Sequence, residues 1–477
     1  MSRKKGRSMF ICKNVRGFQS TTFTLILLTA SISCFADSNL AAGTAKTVIT
    51  PPDAKPRVSV MGVVPKSKEH DLYARALVLN DGTNRLVIIT YDLNCLDVAT
   101  PILRVRCRDE LGIPPANLIL LGSHNHQAPI QIVPDNFDYG RWLAEQIFRL
   151  IQEAIANEQG PVRLSFGSGQ GDFVTAMASK EKDTEVQVLS VVRNGKPVAV
   201  LFNHPTHPLQ TGTDTMSVGH CGYALDTLEE RIPGCIALYA DGCGGNQFAR
   251  KPRETRDPLD AVKALATSLS DVVSGTLTGT MTDVTGPIST SMETISLPLA
   301  DPMPREDAEE LARRLEVPMD IGYVPYPDEN RETNWIRALI RHYDEGLPFP
   351  KRTTDMVCTD DGFLLHELPE AREFPCRYEE TIVAKIGKLV FVAMQGEVCA
   401  PIGMRIKDTF RHEHPIMVFA YMGEHNLYIP TRRIVEMDVY QSKVLRIQYA
   451  CPVGWSPEVE TEMGDAVIAM VNGVLAR

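Results

Sequence analysis

Asn117-Leu118-Ile119-Leu120-Leu121-Gly122-Ser123-His124-Asn125-His126-Gln127-Ala128-Pro129 decides how this chain is read, because a short apolar run ends there in two histidines and a turn. Four large apolar residues closed by Gly122 and Ser123 suit a buried strand better than a helix, since the run is brief and bounded by turn-forming residues. Side chains alternate across a strand, so His124 and His126 are expected on one side at its C-terminal end, a place for a metal or an acid/base pair. An isolated pair of this kind is more readily one core histidine and one solvated histidine, the residue being intermediate in burial. Its partners must be sought elsewhere in the chain.

At 477 residues, 44% of them hydrophobic, the chain can bury a large core. No internal repeat or low-complexity linker divides it, which favours a single large domain. Residues 1–36 read as a signal peptide: Arg3, Lys4, Lys5, Arg7, Lys13 and Arg16 form a basic start, residues 23–30 an apolar run, and Cys34-Phe35-Ala36 a cleavage site. Lipoprotein anchoring at Cys34 is the lesser alternative, because Ser31-Ile32-Ser33 lacks the expected leucine. The apolar run is too short for a stable membrane span and no later stretch is long enough, so an exported chain is expected, periplasmic, extracellular or at the cell surface. Cleavage removes six basic residues and no acidic one, taking the formal charge from −10 to −16. So acidic a body argues against nucleic acid and against anionic lipid as partners. Eleven cysteines become nine without Cys12 and Cys34, so at least one thiol is free or pairs between chains. Cys358 and Cys376 are the best candidate bridge.

Residues 37–54 are small and polar and are expected to form a solvated leader to a body spanning 55–477. Residues 70–80 and 85–92 read as two strands joined across Asp81-Gly82, and 101–111 as a helix with a proline in its first turn. Helices are expected over 139–157, 257–273 and 304–315, and strands over 163–167, 186–192, 197–202, 380–386, 388–393 and 416–421. Residues 321–350, rich in proline, tyrosine and charge, suit a wall or lid. The glycine-rich turn Asp241-Gly242-Cys243-Gly244-Gly245-Asn246-Gln247 lets backbone come close to whatever lies above it.

His124, His204 and Glu397 share one address, just past the C-terminal end of an apolar strand, where side chains from distant segments can converge. Two imidazoles and a carboxylate make a three-ligand set typical of catalytic zinc. Singly, each has a plain structural alternative: Glu397 could bond a nearby turn, and His204 before a proline could be a structural donor.

With these residues in view, the sequence resembles the neutral, non-lysosomal ceramidases over roughly residues 71–460, specifically their N-terminal catalytic domain. Five stretches carry the resemblance in order: His70-Asp71-Leu72-Tyr73-Ala74-Arg75-Ala76-Leu77-Val78-Leu79, Gly122 through Pro129, Phe202-Asn203-His204-Pro205-Thr206, Gln395-Gly396-Glu397-Val398, and Leu427-Tyr428-Ile429-Pro430-Thr431. The resemblance implies Zn2+ held by His124, His204, Glu397 and Tyr428. It also implies that His126 acts in proton transfer beside the metal, and that Tyr440 hydrogen-bonds the developing oxyanion. It implies an α/β fold of two packed, mainly mixed or antiparallel β-sheets flanked by α-helices, in one large domain. The expected function is an exported zinc-dependent amidohydrolase acting on a small-molecule or lipid-like amide, with a metal-retaining, non-catalytic binding protein as the alternative.

The sequence departs from the family pattern in three places. Phe248 stands where the family has a serine needed for activity, no arginine occupies Met177-Ala178-Ser179-Lys180, and no C-terminal immunoglobulin-like domain is expected. The first two departures weigh against ceramide itself as substrate.

Overall fold

The computed structural model describes residues 39–319, 331–356, 379–424 and 427–477. The expected signal peptide with Cys34, the expected Cys358 to Cys376 bridge and residues 321–330 of the expected wall or lid lie outside the described residues.

The Asp-Gly hairpin organises the first sheet. β1 (Ala41–Val48), β2 (Tyr73–Asn80) and β3 (Arg85–Tyr91) run antiparallel in that order, and β4 (Leu118–Gly122) lies parallel to β3. At the turn, the Asp81 carboxylate accepts from the N–H groups of Thr83 and Asn84 at 2.8 and 2.6 Å, and Gly82 takes φ +89°, which disfavours any side chain. The chain passes from β3 to β4 through α1 (Ala99–Leu111), and α2 (Phe137–Ala156) follows β4.

Residues 41–48 correct one expectation, since they form β1 and not a solvated leader. Ala42 and Ala45 are buried in the cores on the two faces of the sheet. Gly43 lies so close to α2 that a Cβ there would stand 1.9 Å from the carbonyl oxygen of Ala154. Small residues that suggested solvation serve close packing here.

The second sheet repeats the plan. β5 (Arg163–Gln170), β6 (Glu185–Arg193) and β7 (Lys196–Asn203) are antiparallel, and β8 (Ile236–Tyr239) is parallel to β7. α3 (Gly219–Arg231) makes the crossover, and α4 (Pro258–Thr278) follows, its first N–H groups capped by the Asp257 side chain. In the third sheet β9 (Ile288–Thr294), β10 (Glu380–Ile386) and β11 (Leu389–Met394) are antiparallel, and β12 (Ile416–Phe419) is parallel to β11. α5 (Arg305–Arg314) and α6 (Arg331–Glu345) come between β9 and β10, and α7 (Ala400–Phe410) crosses from β11 to β12. α8 (Arg432–Glu436), α9 (Tyr440–Ile447) and α10 (Val459–Leu475) close the chain.

Three strands antiparallel, a helix, then a fourth strand parallel to the third: this order occurs three times. The topology is an internal repeat although the sequence reads as having none. One apolar core draws Leu77 and Leu121, Leu201 and Leu238, and Phe391 and Phe419 from all three sheets. Helices cover the far faces: α1 and α2 the first, α3 and α4 the second, α7 and α10 the third. The expected architecture of packed mixed and antiparallel sheets with helices outside therefore holds, with the main strands divided over three sheets instead of two.

The parallel strands fix where the site lies. Past their C-terminal ends the backbones are tied in a ring: Gly122 N–H donates to Tyr421 O at 3.3 Å, Ala420 N–H to Asp241 O at 3.2 Å, and Asp241 N–H to Gly122 O at 3.2 Å. Among the described residues no helix is long and apolar enough to cross a membrane, and Cys107, Cys221, Cys235, Cys243, Cys399 and Cys451 are buried free thiols.

Candidate metal centre

Loops leaving these strand ends bring five side chains together. His124 Nε2 lies 3.0 Å from His126 Nε2 and 3.1 Å from Glu397 Oε2. His207 Nε2 lies 3.3 Å from the same Glu397 oxygen and 3.1 Å from the Tyr428 hydroxyl. One nitrogen from each of His124, His126 and His207 falls within 4.8 Å of the others, so the cluster could hold a metal ion.

The surroundings set which nitrogens are offered. His207 Nδ1 faces the carbonyl oxygens of Gly244 and Gln247, both at 3.0 Å, so it must carry the proton and leave Nε2 a lone pair. His124 Nδ1 is 2.8 Å from the Asn94 side-chain amide. The Asn94 side-chain nitrogen donates to it and fixes the ring from behind. Burial works to raise the Glu397 carboxyl, but His124 and His207 overcome it and hold it well below the usual carboxylate range. Burial, then the Glu397 charge, pushes the Tyr428 hydroxyl well above its ordinary value.

Each position has a local cause. β4 ends at Gly122, and His124 takes φ +53°, so its side chain meets that of His126 through a left-handed residue and not through strand alternation. Tyr421, at φ +56°, lays its ring 4.2 Å from that of His124. Gly245 answers what the glycine-rich turn is for: its N–H donates to Val398 O at 3.0 Å, and a Cβ there would stand 2.3 Å from the carbonyl oxygen of Glu397. Gly245→Ala is expected to displace Glu397, costing about 1–3 kcal/mol of stability together with metal retention. Denaturant melts and elemental analysis of the variant check both effects.

The second histidine motif requires a correction. His204 is buried but turned away from the cluster, with its Nε2 2.9 Å from Gly171 O and its ring against Phe173. The chain bends at Pro205, Thr206 N–H is held by the Asp241 carboxylate at 3.0 Å, and His207 N–H is held by Gln247 O at 2.9 Å. Those ties aim His207, not His204, at Glu397. Of the other sequence-predicted residues, His126 is partly exposed at the cluster, and Tyr440 is 48% exposed with its ring 5.9 Å from that of Tyr428. Sequence reasoning missed His207, Asn94 and Tyr421. His207 had a visible signal, a second histidine three residues after the first; the other two had none.

Two solved structures share this arrangement of elements. Neutral ceramidase from Pseudomonas aeruginosa has a TM-score of 0.67 at 15% identity, over 91% of this chain and 74% of that one, and a ceramidase complexed with C2 has 0.66 at 16%, over 92% and 75%. The fold is that of neutral ceramidase. No protein-family model matches the sequence, and no curated protein does. On this neutral-ceramidase fold, two of the sequence departures fall beside the candidate metal cluster. The Phe248 ring stacks on His207 at 4.7 Å between centroids. Met177, in the stretch without arginine, exchanges hydrogen bonds with Asn246 at 2.8 and 3.0 Å, next to the glycine-rich turn.

Proposed function

We propose that this chain is an exported, zinc-dependent amidohydrolase, and that its zinc is held by His124, His207, Glu397 and Tyr428. The observation that carries the reading is the convergence of two imidazole Nε2 atoms on one buried Glu397 oxygen, with both Nδ1 atoms engaged from behind. That donor set of imidazole, carboxylate and hydroxyl suits zinc. When bound, zinc would supply Lewis acidity toward an acyl carbonyl and bring water's pKa toward neutrality.

The chain's own residues do the rest. The carbonyls of Gly244 and Gln247 hold the His207 imidazole in the tautomer a cation needs. His126, partly exposed beside His124, takes and returns the proton at its Nε2, delivering it to the leaving amine. Tyr440, at the exposed margin of the cluster, donates its hydroxyl hydrogen to the developing oxyanion. Burial of His124, Glu397 and Tyr428 keeps bulk water away from them.

An N-acyl lipid amide is the proposed substrate class, on the strength of the fold shared with neutral ceramidase. Phe248 on His207 and the missing arginine favour a substrate other than ceramide. The basic and apolar start of the sequence supports export.

Protein purified without chelator is expected to contain about one zinc per chain and to cleave short-chain acyl amides faster than fluorescent N-acyl sphingosine. His124→Ala and Glu397→Ala should abolish both properties. Absence of stoichiometric metal would overturn the hydrolase reading. Metal without hydrolysis of any acyl amide or ester would favour a binding protein, and rapid turnover of N-acyl sphingosine would show that Phe248 does not restrict the substrate.

A further inference from the structure

His70, just ahead of β2, has no task in the proposed hydrolysis. Its half-buried ring meets the edges of Tyr223 and Tyr73, with centroids 5.2 and 6.1 Å away. Nε2 lies 2.7 Å from the Asp226 carboxylate of α3, and Nδ1 lies 2.6 Å from the carbonyl oxygen of Asp71. A carboxylate and a carbonyl only accept, so each ring nitrogen must carry a hydrogen, and the form that fits is the imidazolium. Neutral imidazole has one N–H and would turn a lone pair on one of the two oxygens. The surrounding charges agree. Asp226 faces Nε2, and Asp92 adds to its field. The cations nearby are spent elsewhere: Lys46 on Glu229 at 2.7 Å, Arg75 on Asp92 at 3.2 Å, and Lys68 on the Asp71 carboxylate at 2.6 Å. Glu69 accepts from the Ser217 hydroxyl, and Lys263 of α4 lies 5.6 Å from the centre of the Tyr223 ring. Burial works to lower the His70 pKa, but Asp226, the Asp71 carbonyl and Asp92 outweigh it and raise it above 6.5.

This contact fastens a short ribbon that borders the centre. Directly before His70, Ser67 and Lys68 pair in parallel with Thr215 and Met216, and the Glu69 N–H donates to Met216 O at 2.9 Å. Carbonyls of the far strand hold both neighbours of His126: Asn125 Nδ2 donates to Ser217 O at 2.7 Å, and Gln127 Nε2 to Thr215 O at 2.8 Å. So short a pairing is marginal alone, and His70 ties its end to α3. We propose that His70 is a proton-operated latch: as the imidazolium it fastens the ribbon of residues 67–69 and 215–217 beside His126, and on losing a proton it lets that ribbon loosen. The latch is fully closed below pH 6.5 and opens as the pH climbs through the higher value of the closed form. It needs neither metal nor substrate, so the inference stands apart from the hydrolase reading.

The test joins NMR of the full chain, isotope-labelled at histidine, with hydrogen exchange read by mass spectrometry and corrected for the intrinsic effect of pH. The His70 signal, identified by its loss in His70→Gln, is expected to titrate above 6.5, and at lower pH in Asp226→Asn than in the parent. Exchange over residues 67–69 and 215–217 should quicken about tenfold between about pH 6 and about pH 9, a factor of about ten for each unit by which closure raises the titration. Exchange over the core strand β4 should stay flat. In folded His70→Gln the step should vanish, with the ribbon exchanging fast throughout. The proposal is overturned if His70 titrates at or below 6.5, if the ribbon's exchange is indifferent to pH, or if His70→Gln keeps the parent's step.

Discussion

His207→Ala is expected to leave the purified chain with almost no metal, whereas His204→Phe should keep the parent's metal content. The two residues stand three positions apart in one motif and are both buried, so neither sequence proximity nor burial separates them. Orientation does. His207 Nε2 is within 3.3 Å of Glu397 and 3.1 Å of Tyr428, while His204 Nε2 is spent on the carbonyl of Gly171. Loss of a residue that only orients a ligand typically costs 10–100-fold in metal affinity, about the least to expect for the ligand itself. Elemental analysis and chelator competition measure the contrast, and equal losses in the two variants would refute it. The His204 variant has a second readout. Burial pushes that imidazole down to about 4 from 6.5, so between those values the unfolded chain takes up a proton that the folded chain refuses. This residue's contribution is therefore intact above pH 6.5 and is lost as the pH falls toward 4. His204→Phe should flatten the decline of stability over that interval by about 1.4 kcal/mol per pH unit.

The largest expected loss of stability is for Lys407→Met, about 3–5 kcal/mol, because it strands two buried carboxylates. Lys407 Nζ lies 2.6 Å from Asp183 and 2.8 Å from Glu185, and its side chain is 3% exposed. Burial works to lower the Lys407 pKa, but the two carboxylates outweigh it and raise it above 10.5; burial likewise works to raise Glu185, and Lys407 outweighs it and lowers it below 4.5. The raised lysine contributes fully below 10.5 and less as the pH climbs through its folded value. The lowered glutamate contributes fully above 4.5 and less as the pH drops through its folded value. Urea melts of parent and variant should thus differ most between about pH 4.5 and 10.5 and converge outside that window. The metal should feel the change as well. Asp183 N–H donates to the Gln247 side chain at 2.7 Å, and the Gln247 carbonyl holds His207 Nδ1. A loss of about tenfold in metal affinity is expected, the low end for a residue that supports a ligand from behind.

Most elements were legible because their causes are local. Apolar runs such as Leu118 to Leu121, the Asp81-Gly82 turn and the Asp257 cap each act within a few residues, and the structure places strands and helices where those signals lie. The strand-end address of the site was legible for the same reason. What sequence could not carry is direction that is set from afar. Whether His204 or His207 turns inward depends on Asp241, whose carboxylate fixes Thr206 from 35 residues away, and no local pattern reports that tie. Tyr421 and Asn94 are ordinary residues until the fold lays them on His124. Residues 41–48 misled because small side chains serve solvation and close packing equally well.

The threefold plan of the sheets has a meaning for the centre. The first unit gives Asn94, His124 and His126, the second His207 and Asp241, and the third Glu397 and Tyr421, followed by Tyr428. No unit alone offers an imidazole together with its carboxylate, so no fragment holding a single unit can assemble the cluster. A cation held in this place would clasp all three units at once. Because binding to the assembled form alone draws the folding equilibrium toward that form, such an ion would favour the docking of all three units in one step.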